Sequence, residues 1–158
     1  MDIIIRKATA ADAENVAKIA VEAWSGIYEG YRAQLGDDIY NEVFKNPLEA
    51  KAERVKASVI GGNVFVAELD GVLCGFATFG ISGKIGLLSD NAVSSEFRGM
   101  GIASKLHNRV FEEVKNLGAE IVNVSTGLDD AHAPARRSYE KDGFEVGLPK
   151  ITYYKKLK

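Results

Sequence analysis

Cysteine is nearly absent from this 158-residue chain: Cys74 stands alone, so no disulfide can close within it. Its setting, Val72-Leu73-Cys74-Gly75-Phe76, reads as a small buried hydrophobe rather than a nucleophile, and a reducing, cytoplasmic location is expected. No apolar run approaches the roughly 18 residues of a membrane span. Met1-Asp2 leads straight into Ile3-Ile4-Ile5, with no basic segment before a long apolar core, so neither export nor membrane anchoring is expected. Positive charge is not in excess: 20 Lys and Arg against 22 Asp and Glu leave a net charge of −2. The chain as a whole therefore offers no cationic field for nucleic acid or anionic lipid, and Lys155, Lys156 and Lys158 read as a solvated tail. Repeats, low-complexity tracts and linkers are missing too. With 46% hydrophobic and 27% charged residues, one domain over residues 1–158 is expected.

The hydrophobic pattern predicts alternating element types. Asp2 to Lys7 reads as a strand, and Thr9 to Asp12 supply caps for a helix carrying Val16, Ile19, Ala20 and Ala23 on one face, ending near Trp24 to Gly26. An aromatic, glycine-broken segment follows to Gly36, then helices over 38–45 and 47–60, with Pro47 at a helix start. Three strands come next, 64–69, 72–81 and 85–93, the first pair joined by Asp70-Gly71, a strong two-residue hairpin signal because both positions need positive φ. A helix over 100–117 places Ile102, Leu106, Val110, Val114 and Leu117 on one stripe, with Gly118 placed to stop it and His107 on the polar side. A strand over 120–125, a helix over 133–142 and two terminal strands, 144–147 and 151–157, complete the order.

Arg98-Gly99-Met100-Gly101-Ile102-Ala103, followed by Ser104, lies between a strand and that amphipathic helix. A strand turning through glycines into a helix leaves unpaired N–H groups converging on the positive end of the helix dipole, a place suited to an anion. Glycine at 99 and 101 lets a phosphate approach the main chain, and Arg98 adds a forked cationic contact. No Gly-Lys-Ser/Thr follows, which disfavours a triphosphate loop. Ser104 replaces the third glycine of a dinucleotide fingerprint, although ATP or NAD binding at the same turn remains a rival reading.

A second motif follows the 120–125 strand: His132-Ala133-Pro134-Ala135-Arg136-Arg137-Ser138-Tyr139-Glu140-Lys141-Asp142-Gly143-Phe144. Together the two motifs resemble the cofactor motifs of the GNAT N-acetyltransferases, Arg/Gln-x-x-Gly-x-Gly/Ala and Asn-x-x-Ala-x-x-x-Tyr-x-x-x-Gly-Phe. Arg98, Gly101 and Ala103 fill the first; Ala135, Tyr139, Gly143 and Phe144 fill the second, with His132 in place of Asn. The resemblance implies an α/β fold of mixed α+β character: a central, mostly antiparallel sheet of about seven strands, helices on both faces, and two parallel strands splayed at the cofactor cleft. It also implies acetyl-coenzyme A as cofactor, no metal, a small-molecule or peptide amine as acceptor, and a homodimer built through the terminal strands.

Under the resemblance, the pyrophosphate lies on the amides of Gly99, Met100, Gly101, Ile102, Ala103 and Ser104 and against Arg98. The pantetheine arm runs along Asn91-Ala92-Val93, and the Val93 N–H polarises the thioester carbonyl. His132, Ala135 and Tyr139 complete the cofactor site, and Tyr139 protonates the departing thiolate, since a phenol of reference pKa near 10 stays protonated beside a thiol near 8.5. Neutral imidazole both donates and accepts, so His132 either replaces the amide at the cofactor, relays a proton from the amine, or touches neither. An alkylammonium must lose a proton before attack, at a cost of about 4 to 5 kcal/mol at neutral pH. Strict alternation puts Leu87, Ser89 and Asn91 on the Val93 face, none of them a base, with Asp90 opposite unless a bulge intervenes. Trp24, Tyr28 and Glu29 are expected to wall the acceptor pocket, while Asp129 and Asp130 either attract a cationic amine or cap a helix. A catalytically silent acyl-coenzyme A binding module is the alternative function.

Overall fold

The computed structural model describes residues 2–158. Five strands form one sheet in chain order, β1 (Ile3–Lys7), β2 (Val64–Leu69), β3 (Val72–Ser82), β4 (Ile85–Val93) and β5 (Ile121–Asn123), antiparallel except for the parallel pair β4 and β5. Helices α1 (Ala13–Leu35), α2 (Asp37–Val43) and α3 (Pro47–Ile60) separate β1 from β2, α4 (Ile102–Asn116) crosses from β4 to β5, and α5 (Ala133–Lys141) follows.

The sheet is covered on both faces, so its central strands carry apolar residues on both, as Val64 to Ala67 on β2 do. On β2, Val64 and Val66 pack with Phe76 against Val16, Ile19 and Ala20 of α1 and Val55 and Val59 of α3. The alternate residues Phe65, Ala67 and Leu69 join Leu88 and the α4 stripe Ile102, Leu106, Val110 and Val114 on the other side. Period two in the strand meets period 3.6 in the helices, and each burial removes roughly 1.5–3 kcal/mol worth of side chain from water.

Two expectations are corrected. Helix α1 does not end near Gly26; it runs 23 residues to Leu35, where Gly36 at φ 78° stops it. Each glycine costs a helix about 1 kcal/mol, but Tyr28 and Tyr31 pack against Phe44 and Ile27 faces the interior cavity, and this tertiary packing holds the helix through Gly26 and Gly30. The sheet has five strands rather than seven. Residues 144–158 contain no strand although their apolar residues alternate, and Val146, Leu148, Ile151, Tyr153 and Leu157 are all exposed. Phe144 packs edge-on against Tyr139 and Phe111, and Lys156 pairs with Asp38 of α2.

The chain's entry into α1 carries a strong ion pair. Asp12 accepts two hydrogen bonds from the Arg6 guanidinium, 2.8 and 2.9 Å, and one from the Thr9 N–H at 2.7 Å. The Arg6 bond, with the Thr9 amide helping, holds the Asp12 carboxyl down at about 2, below its ordinary 3.8. A depressed carboxyl stabilises the fold above its unfolded pKa, and that contribution is lost as pH falls from about 4 through about 2. Asp12→Asn is therefore expected to lose about 2 kcal/mol at pH 7 and to match the wild type near pH 2; urea unfolding at the two pH values checks it.

Candidate active site

β4 and β5 pair only from Ile85–Ile121 to Leu87–Asn123 and then part. The gap opens into a cavity of about 620 Å³ between Leu87 to Val93 on one side and Asn123, Ser125 and Thr126 on the other, closed by α5 and by Trp24 and Ile27 of α1. Of the residues singled out in the sequence, Trp24, Asn91, Ala92, Val93, Arg98, Ala103, His132, Ala135 and Tyr139 line this one space.

A bulge decides which β4 side chains face it. Ala77 pairs with Asn91 and Phe79 with Leu88, so Thr78 alone opposes Ser89 and Asp90, and the Thr78 hydroxyl donates to the Asp90 carbonyl at 2.8 Å. The extra residue reverses the alternation. Leu88, not Leu87, therefore shares the α4 face with Asn91 and Val93, correcting the expectation from strict alternation. Asp90 and Ala92 face α1 and α3. The Ser94 N–H donates to the Cys74 carbonyl on β3 at 2.9 Å. Because successive amides point to opposite edges, the Val93 N–H is aimed at the gap left by β5.

At the far end of β4, Glu22 of α1 accepts from the Ser95 N–H and hydroxyl, tying the helix to the segment entering the glycine turn. Gly99 and Gly101 both have φ 76°, a conformation L side chains rarely adopt, and no atom lies within 4 Å of where their Cβ atoms would stand. Gly101 caps α4, so the first-turn amides of Ile102, Ala103 and Ser104 have no intrahelical acceptors and point out of the helix end. The Ile102 side chain is buried in the core, and the Ser104 hydroxyl donates to Asp142 at 2.6 Å, so these two offer an anion only their main chain. With Arg98 lining the cavity beside it, this turn fits a diphosphate.

Tyr139 of α5 is 8% exposed, and burial raises its pKa, keeping the phenol protonated. Its oxygen accepts from Asn91 Nδ2 at 3.0 Å, which leaves the phenolic hydrogen free to be given elsewhere. Asn91 is itself oriented: the same Nδ2 donates to the Ser89 carbonyl at 2.8 Å, and Oδ1 lies 3.1 Å from His107 Nε2. His107 is not on the surface as its helix position suggested. It is 1% exposed, with Nδ1 2.6 Å from the Asp142 carboxylate; burial pushes its pKa down while Asp142 opposes that shift. Asp142 escaped the sequence reading altogether. The signal was present for His107, since it follows Ala103 by four residues and precedes Val110 by three, on the buried stripe of α4.

The remaining wall is aromatic and charged. Trp24 lines the cavity, with Lys51 Nζ 4.1 Å above its ring. Lys51, pushed down in pKa by burial, binds Asp90 Oδ1 at 2.9 Å while Arg54 binds Oδ2 at 3.0 Å. Tyr28, one helical turn after Trp24, packs beside Tyr31 and Phe44 and is not among the residues lining the cavity, while Glu29 is exposed on another face of α1, so of the expected wall only Trp24 lines it. Asp129 is an acceptor for His132, 2.6 Å from its Nδ1, and His132 stacks on Tyr31.

The model of the acetyltransferase (GNAT) family matches residues 24–144. No curated protein sequence matches the chain. Among solved structures, the aminoglycoside N-acetyltransferase AAC(6')-Iy in complex with CoA is 19% identical at a TM-score of 0.70, covering 98% of this chain and 95% of its own. The PaiA N-acetyltransferase of Thermoplasma acidophilum, also with coenzyme A, is 22% identical at 0.70, covering 93% and 92%. The BH1408 protein of Bacillus halodurans, as its F44R mutant, is 20% identical at 0.72, covering 96% and 98%. These likenesses show a common fold, and the match over well over half of the chain, on the parted strands and the glycine turn, shows that it belongs to the GNAT acetyltransferase family.

Proposed function

We propose that this chain is an N-acetyltransferase that moves the acetyl group of acetyl-coenzyme A directly to a primary amine. One observation carries the reading: Arg98 and Ala103 of the turn into α4, Val93 with its outward N–H and Tyr139 with its free phenolic hydrogen all line a single cavity. Acetyl-coenzyme A supplies an activated acyl group on a thiol leaving group. The chain's own groups supply the rest. The turn from Gly99 to Ser104 holds the diphosphate, the Asn91 to Val93 edge and Ala135 hold the arm, the Val93 N–H stabilises negative charge developing on the carbonyl oxygen, and Tyr139 donates to sulfur as it departs. The coenzyme A complexes of the structural relatives support this choice of cofactor.

The acceptor is a small amine or a peptide amine entering past Trp24 and Ile27, with polyamine-like molecules, antibiotics and amino-acid derivatives all admissible. The buried free cysteine fits a cytoplasmic enzyme. A homodimer is part of the same reading: the alternating apolar residues of 144–158 are exposed in one chain and suited to pairing with a second copy.

Thermal shift separates the cofactors. Coenzyme A or acetyl-coenzyme A at about a hundred times its Kd should stabilise by roughly 2.7 kcal/mol, whereas ATP and NAD at the same concentration should not. A panel of primary amines, read by thiol release and by mass spectrometry of the product, then tests transfer. Stabilisation by coenzyme A with no thiol release from any amine would favour the silent binding module instead.

A further inference from the structure

The reaction proposed above needs a base, and the cavity narrows the choice. Five titratable side chains line it: Asp90, Arg98, His107, His132 and Tyr139. Asp90 is held by Lys51 and Arg54, and the Arg98 guanidinium has no lone pair to accept a proton. Both nitrogens of His107 are engaged, by Asp142 and Asn91, and the Tyr139 oxygen accepts from Asn91. His132 differs from all of them. Its Nδ1 lies 2.6 Å from Asp129 Oδ1, and Nε2 has no hydrogen-bond partner among the described residues. No buried side-chain nitrogen among them lacks a partner, so Nε2 opens onto accessible space, and the ring lines the cavity.

The pair is also built to stay in place. Arg136 Nη1 donates to the Gly127 carbonyl at 2.7 Å and to the Asp129 carbonyl at 2.8 Å, fastening the loop that carries Asp129. A Cβ at Gly127 would stand 2.2 Å from Asp129 Oδ1 and 2.6 Å from His132 Nδ1, so glycine is required for the carboxylate and imidazole to meet. From α1, Tyr31 stacks on the imidazole at 6.2 Å between centroids, fixing the ring plane. Tyr31, with a pKa raised by burial and by Asp129, is neutral near pH 7, so Asp129 and the Arg136 guanidinium are the charges that face the pair.

Resting on the transferase reading, we infer that His132, oriented by Asp129, is the general base that deprotonates the acceptor ammonium. A hydrogen on Nδ1 shared with Asp129 leaves the Nε2 lone pair for the substrate, and the carboxylate stabilises the imidazolium that results. Nε2 takes one ammonium proton, and the freed lone pair forms the C–N bond. The C–S bond breaks, and sulfur takes the Tyr139 proton. The second nitrogen proton returns to the Tyr139 oxygen, and His132 sheds its own to solvent, so the products are amide, thiol and one released proton.

The test compares a primary alkylamine with its β,β,β-trifluorinated analogue, whose nitrogen is largely neutral at pH 7, in wild type, His132→Gln and Asp129→Asn. His132→Gln should lose on the order of a hundredfold or more in kcat/KM on the alkylamine at pH 7 and regain about tenfold per pH unit as the free amine accumulates. The fluorinated amine should be acetylated at close to the wild-type rate, with the Kd for acetyl-coenzyme A unchanged. Asp129→Asn should show the same pattern at smaller amplitude. Equal losses on both amines, or a raised Kd, would make His132 a cofactor contact and overturn the assignment; an unchanged rate would overturn it as well. A wild type inert toward every amine would instead remove the transferase reading on which the assignment stands.

Discussion

His107→Leu is expected to destabilise the protein by about 3 kcal/mol, although leucine is apolar and close in size to the ring it replaces. The cost lies in what the imidazole leaves behind. Asp142 has a side chain only 6% exposed, and of its two bonds the one from Ser104 at 2.6 Å survives while the one from His107 is lost. A buried carboxylate stripped of a partner is penalised far more than the pair was worth as a net interaction. Asp142→Asn placed in the same background removes the orphaned charge and should recover part of the loss, giving a coupling that a double-mutant cycle in urea at pH 7 measures. A single-variant cost below about 1 kcal/mol would mean that the carboxylate finds water. Activity should fall beyond what stability explains, because His107 is also the partner of Asn91 Oδ1, and Asn91 aims Tyr139.

Much of this arrangement was legible in the residues because local rules and tertiary packing agree there. The Asp70-Gly71 hairpin forms as its sequence requires, with positive φ at both residues, and the Gly99 and Gly101 turn enters α4 as its strand-glycine-helix pattern implies. What was not legible depended on partners distant in sequence. Gly26 marks a helix end by propensity, yet α1 continues because Phe44, 18 residues on, gives Tyr28 and Tyr31 something to pack against. His107 belongs to the polar residues by type and to the core by position, and Asp142, 35 residues away, resolves the conflict. The bulge opposite Thr78 leaves no trace in the alternation of β4, since Ser89 and Asp90 are both polar. Residues 144–158 have the alternation of strands but pair with no strand of the sheet, and alternation alone does not supply the partner a strand needs.

Tyr139→Phe should lower kcat by roughly 10²- to 10⁴-fold, the usual worth of a positioned acid, while leaving the fold and acetyl-coenzyme A affinity nearly intact. The ring keeps its packing, with His107 at 5.4 Å and Phe144 at 5.8 Å between centroids. Asn91 Nδ2 keeps its bond to the Ser89 carbonyl at 2.8 Å, so loss of the phenol leaves that donor satisfied and costs about 1 kcal/mol of stability at most. Only the proton is gone. The decisive comparison is therefore between leaving groups, not between substrates. An acetyl thioester of a more acidic thiol departs without being protonated, and the Phe variant should lose far less rate with it than with acetyl-coenzyme A. If both donors lose equally, the hydroxyl orients the thioester rather than protonating sulfur, and if neither loses rate, Tyr139 is a core tyrosine whose hydroxyl serves only to hold Asn91.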